Sequence, residues 1–127
     1  MTGQASSAAA TRFQAFFLAA LDGVDRPLDA AVRGAVCMYD FAREHPADAA
    51  VLADMQLEDL FEEQLVALSR RLFGNSGPTA LERTTFAVVD IPHGAVRRHL
   101  LAGTPAPPAL RAWIETAVRA TLKDSAS

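Results

Sequence analysis

The run Leu81–Leu122, LERTTFAVVDIPHGAVRRHLLAGTPAPPALRAWIETAVRATL, decides how this chain folds. It reads as two helices joined by a Gly103-Thr104-Pro105-Ala106-Pro107-Pro108 corner. On the second helix, Leu110, Trp113, Ile114, Ala117, Val118 and Thr121 recur at three- and four-residue steps, the period of one helix face. On the first, Leu81, Val88, Val89, Ala95, Val96 and Leu100 run down one side, interrupted by Pro92-His93-Gly94. An interior proline costs a helix about 3 kcal/mol and one backbone hydrogen bond. A loop between two shorter helices is one reading. The apolar positions stay in phase on both sides, which favours a kinked continuous helix. Both helices carry more apolar surface than a small monomer needs. Trp113, the only tryptophan, either fills a core or anchors an interface. The expectation is that Val96, Leu100, Leu110, Trp113, Ile114, Ala117 and Val118 meet a second copy, in a four-helix bundle across a two-fold axis.

Working outward, the 127 residues fit one domain, and half are apolar, enough for a core. Alanine and leucine dominate, which favours helix, and no stretch alternates with period two long enough to make a strand. The fold class expected is all-α, a bundle of about six helices. No run of 18 apolar residues suggests a membrane span. No signal peptide is visible, so the expected location is cytoplasmic. Cys37 is alone and forms no intrachain disulfide. Net charge is −3, and the only local basic spots are Arg70-Arg71 and Arg97-Arg98, too little for a nucleic-acid stripe.

Residues 1–10 are small and polar and read as a disordered tail, with Ser6 or Ser7 capping the first helix. A single helical domain is expected over 11–123, followed by a tail at 124–127. Phe13, Phe16, Phe17, Ala20 and Leu21 form one stripe, and Gly23 supplies a stop. Pro27 opens the second helix, which should run to about Glu44. Leu28, Val32, Ala35, Val36 and Tyr39 mark one face of it, and Cys37, Met38, Phe41 and His45 another. A helix apolar on two sides is buried on two sides, so this one should be central. His45-Pro46 ends it. A short segment from Ala47 to about Met55 follows. The next helix, about Gln56 to Phe73, faces Leu57, Leu60, Phe61, Leu65, Leu68 and Leu72 inward. Gly74-Asn75-Ser76-Gly77-Pro78 is a loop, and Thr79-Ala80-Leu81-Glu82 matches a capping box.

Chemistry is sparse. His93 and His99 are off one helical face, and no zinc or di-metal carboxylate pattern occurs, so neither a metal nor another cofactor is expected. Asp54, Glu58 and Glu62 share a face but read as solvated. Cys37 has no local histidine partner and reads as a buried thiol. No catalytic residues are assigned. An acid–base set of Asp90, His93 and Tyr39 is the one enzymatic alternative. The mixed methionine and aromatic walls of the middle helices suggest instead a pocket for a hydrophobic small molecule. Its candidate lining is Met38, Tyr39, Phe41, Met55, Phe61, Phe86, Val89, Asp90 and His93, with Cys37, Leu57 and Leu65 beside them. The same residues also suit an ordinary core.

The order of elements resembles the C-terminal regulatory domain of TetR-family transcriptional regulators. The stretches that carry the resemblance are FQAFFLAALDG, AAVRGAVCMYDFAREHPADAAVLADM, TTFAVVDIPHGAVRRHLLAG and PPALRAWIETAVRATL. Within them, Tyr39-Asp40-Phe41-Ala42-Arg43-Glu44-His45-Pro46 is similar to the tract that ends that domain's central helix. His93-Gly94 followed by Leu100 and Gly103 is similar to a tract of its penultimate helix, from which Pro92 departs. The resemblance implies an all-helical fold, a ligand cavity lined by the middle helices and a homodimer through the last two. Members of the family begin with a three-helix unit containing a helix-turn-helix. This sequence supplies none, so the chain alone is not expected to bind nucleic acid, and it is expected to be a fragment, a truncated gene product or a stand-alone regulatory-type domain. The competing reading is a helical adaptor that binds another protein through the Leu110–Leu122 face.

Overall fold

In a computed structural model the chain is all-helical. The structure describes residues 2–126, with side chains from residue 7 onward. The α-helical segments are α1 (Thr2–Leu21), α2 (Pro27–Glu44), α3 (Pro46–Leu52), α4 (Glu62–Phe73), α5 (Pro78–Thr85), α6 (Ile91–Ala102) and α7 (Ala109–Thr121). A π turn over Phe86–Asp90 joins α5 to α6 without a break, so 78–102 is one helical rod and the described residues make six helices and no strand.

The second helix is central, as its two apolar faces require. It packs against α1, α3, α4, the π turn, α6 and α7. Ala30, Ala31, Val32, Ala35, Val36, Cys37, Met38, Tyr39 and Phe41 on it are all buried. Pro27 sits in its first turn, where the missing N–H is no loss. It stops at His45 because Pro46 disfavours helical geometry in the residue before it, and Pro46 then opens α3.

Aromatic rings fill the space between α1 and α2. Phe13 lies 5.0 Å from Phe41 and 5.3 Å from Phe61, the latter edge-on, and Phe16 meets Phe41 edge-on at 5.4 Å. Such tilted and edge-on pairs add to the burial of apolar area.

Several boundaries differ from the sequence reading. The first helix begins at Thr2, so positions 6 and 7 lie inside it and not at its start; Ala9 and Ala10 are buried rather than frayed. Met1 lies outside the described residues. The helix expected from Gln56 is divided into a 3₁₀ turn at Leu57–Leu60 and α4, because Phe61 leaves helical geometry (φ −128°, ψ 25°) as it turns into the phenylalanine cluster. The capping box at Thr79 does not form. Gly77 is the N-cap and Pro78 takes the first turn, while Asn75 Oδ1 accepts the Gly77 N–H at 2.9 Å. The end of the chain is tied down through Ala126, whose N–H donates to the Leu72 carbonyl at 2.8 Å. Ser127 lies outside the described residues.

Gly103 ends the rod in the left-handed region (φ 70°), where a glycine has no Cβ to strain. The Thr104 N–H then reaches back to the His99 carbonyl at 3.0 Å, the closing bond of a Schellman turn. That reversal sets α7 against α6 and α2. Leu110, Ile114, Val118 and Leu122 drop into the core of the same subunit. Val96 of α6 joins them. The expectation that Val96, Leu110, Ile114 and Val118 face a second copy is therefore corrected: a periodic stripe marks a face that needs covering, and α2 is near enough to cover it. Trp113 is on the other side of α7, and 60 % of its surface is open to solvent.

Candidate functional site

The π turn is where sequence chemistry and cavity meet. Pro92 has no N–H to donate, and its ring would press on the carbonyl four residues earlier in a regular α-helix. The rod widens just before it, and the Ile91 N–H donates to the Phe86 carbonyl, five residues back. Pro92 is thereby carried into the core, fully buried. Such π turns occur often at functional positions.

Val88, Val89, Pro92 and His93 of this region form one wall of a small cavity. Phe13, Phe17, Gly34, Met38, Leu57 and Phe61 form the rest. Gly34 sets the floor. A Cβ there would stand 3.0 Å from Phe17 Cε1, so any larger residue would push the Phe17 ring aside. The remaining space is about 10 Å³, the room one water molecule takes.

His93 is held rather than free. Its Nε2 lies 3.2 Å from the Leu52 carbonyl. Four residues on, Arg97 Nε donates to the Ala53 carbonyl at 2.9 Å, and its NH2 group pairs with Asp54 Oδ1 at 2.5 Å. These bonds strap the end of α3 to α6. Asp90 stands at the exposed outer edge of the π turn. Its carboxyl is held above the usual carboxylate range, first by partial burial, then by the nearby negative charges of Glu58 and Glu82, with His93 pulling the other way.

Of the nine candidate pocket residues, the structure brings Met38, Phe61, Val89 and His93 to the cavity. The others lie elsewhere. Phe41 is consumed by the ring cluster, where His45 lies 5.1 Å from it. The Tyr39 hydroxyl receives a hydrogen bond from Arg43 at 3.0 Å and reaches the Pro107 carbonyl at 3.4 Å. Met55 is half-buried against the core, and Phe86 is half-exposed. Leu57 lines the cavity, Leu65 is core, and Cys37 borders a different cleft. Tyr39, Asp90 and His93 share no hydrogen bond: the Tyr39 hydroxyl is engaged near Pro107 and His93 at Leu52. Phe13, Phe17, Gly34, Val88 and Pro92 were not foreseen as lining. The spacing of Phe13 and Phe17, one turn apart, was their one signal, and it reads equally as core.

A wider cleft of about 910 Å³ opens between α1, α2 and α7. Arg111 crosses it to Asp40 with two hydrogen bonds of 3.0 and 3.1 Å, and Arg119 reaches Asp29 at 3.5 Å. The Asp40 bond holds the Arg111 guanidinium still more firmly charged. These half-exposed pairs fix where α7 lies on α2 more than they stabilise it. Cys37 borders the cleft, but burial raises its thiol pKa far above the usual range, so it stays protonated. Among the described residues no three His, Cys, Asp or Glu side chains gather as metal ligands, and no helix is long and apolar enough to cross a membrane.

No protein-family model, curated protein or solved structure matches this chain.

Proposed function

We propose that this chain is a ligand-sensing and dimerising domain of the kind carried by TetR-family regulators. One observation carries the reading. A single helical rod, 78–102, has a π turn whose inner side walls the cavity beside Met38 and His93, while further along the same rod Leu101 is 56 % exposed. The rod packs on α7, which leaves Trp113 in solvent. An apolar occupant that widened the cavity would move the rod, and the rod bears the apolar side chains that a partner copy would cover. A ligand shifts such a balance only by its differential affinity for the two arrangements.

The dimer face in this reading is smaller than the sequence alone suggested. It consists of exposed Trp113 and half-buried Ala117 on α7, with exposed Leu101 on α6. Exposed tryptophan is enriched at the energetic centres of interfaces. The ligand is hydrophobic and small, because the walls are apolar and the empty space is slight.

Sedimentation equilibrium of the wild type and of Trp113→Glu tests the assembly. A dimer that becomes a folded monomer on substitution is the expected result. A wild type that stays monomeric at high micromolar concentration removes the dimer, and capture of a different protein through Trp113 then favours the adaptor reading.

A further inference from the structure

A second apolar groove, about 500 Å³, lies where the end of α2, the start of α3, α6 and the 103–106 turn come together. That size is within the range of about 300–1,000 Å³ that small-molecule sites occupy. It shares no lining residue with the central cavity. Ala47 and Ala50 of α3 face Val96 and Leu100 of α6 across it. Two nitrogen-bearing side chains join this lining, Arg43 and His99, and no carboxylate does.

Arg43 is exposed at the groove and His99 is half-buried. Arg43 donates to the Tyr39 hydroxyl and lies 5.7 Å from the centre of that ring, yet it has no carboxylate partner among the described residues. His99 Nε2 is shielded from solvent and has no hydrogen-bond partner; it is the one side-chain nitrogen or oxygen among the described residues in that state. Buried polar atoms are nearly always partnered, so an orphan calls for an explanation. The imidazole is part of the groove's lining, so a ligand seated there lies beside it.

We propose that this groove binds an amphiphilic monocarboxylate, with its short apolar body between α3 and α6 and its carboxylate on Arg43 and His99. The guanidinium fork matches a planar carboxylate, and the apolar walls match an alkyl chain. One fixed cation sets the charge. A doubly charged phosphate head would leave its second charge without a fixed partner, and a neutral head would gain nothing from the Arg43 charge.

Calorimetric titration of the full chain with octanoate, and separately with 1-octanol, tests this. Saturable octanoate binding is expected, with 1-octanol at least about ten-fold weaker, the scale of a hydrogen bond to a charged group. Arg43→Gln should weaken octanoate about ten-fold and leave 1-octanol unchanged. Ala47→Phe, which fills the groove and leaves the cation in place, should abolish both. Arg70→Gln, a charge loss on α4 outside the groove, should behave as wild type. Absence of saturable octanoate binding, equal affinity for the two probes, or wild-type octanoate affinity in folded Arg43→Gln or Ala47→Phe protein overturns the proposal. Trp113→Glu should bind octanoate as the wild type does, which keeps this result apart from the oligomeric state.

Discussion

The ring of Phe17 lies 4.3 Å from that of Phe61, tilted by 33°, and a Cβ at Gly34 would stand 3.0 Å from Phe17 Cε1. Three segments distant in sequence are thus locked at one aromatic side chain. Gly34→Ala puts a methyl group 3.0 Å from Phe17 Cε1 and 3.3 Å from Cζ. Phe17 must then shift by a few tenths of an ångström, and it is already packed on Phe61. Overpacking of this kind costs about 1–3 kcal/mol. The better helix propensity of alanine offsets about 1 kcal/mol of that. Urea denaturation should show a net loss of stability, and a more stable variant would contradict this packing.

The π turn makes a sharper prediction. It is one residue too many for a regular α-helix, and Pro92 tolerates the widened turn where it would not tolerate a tight one. Deleting Phe86, which is 49 % exposed, should convert the turn to α-helix while keeping α5 and α6 in register. With Pro92 in place that deletion should destabilise the chain by about 3 kcal/mol. Combined with Pro92→Ala it should cost much less. A denaturation double-mutant cycle reads the coupling, and strictly additive effects would show that the proline and the wide turn are unrelated.

How much of this was legible follows from what each signal measures. The two-sided pattern of α2 required neighbours on both sides, and it has them. The phase match across Pro92 implied a continuous rod, and the rod is continuous, though nothing local announced a π turn. Periodicity also marked Leu110, Ile114 and Val118 as a buried face, but it carries no information about which surface does the burying. Met38, Phe61, Val89 and His93 were placed together because they sit on the right faces of the right helices. Phe41 and Tyr39 were not separable from them, since one turn of α2 points toward the cavity, the rings of α1 and the α7 corner at once. Ala9 and Ala10 read as tail because small residues have weak burial signals, yet small size is what allows close packing at a helix contact.

Asp90 predicts a pH dependence. Burial comes first, and Glu58 and Glu82 add to it, so the folded chain holds the Asp90 proton more tightly than the unfolded chain does. A raised acid contributes stability that is present at pH below its unfolded pKa and fades as pH rises through the folded value. Asp90→Asn should therefore be more stable than the wild type at neutral pH, with the difference shrinking toward pH 3. The margin is small because solvent screens this edge of the helix. Thermal melting of both proteins across that range checks the sign, and a variant less stable at neutral pH would reverse it.

Neighbouring residues on α7 separate core from surface most cleanly. Ile114 is buried against α2 within one chain, and Trp113 beside it is exposed. Ile114→Ala should cost about 2–5 kcal/mol by leaving a cavity, and the loss should not depend on protein concentration. Trp113→Ala removes more atoms but little burial within the subunit, so the intrinsic stability of the monomer should move by no more than about 0.5 kcal/mol. An effect that comes from association should grow with protein concentration, because a partner that binds only the folded state stabilises it by mass action. Melting curves at several concentrations distinguish the two. A large, concentration-independent loss in Trp113→Ala would mean that this tryptophan supports its own subunit and is not the centre of a contact between copies.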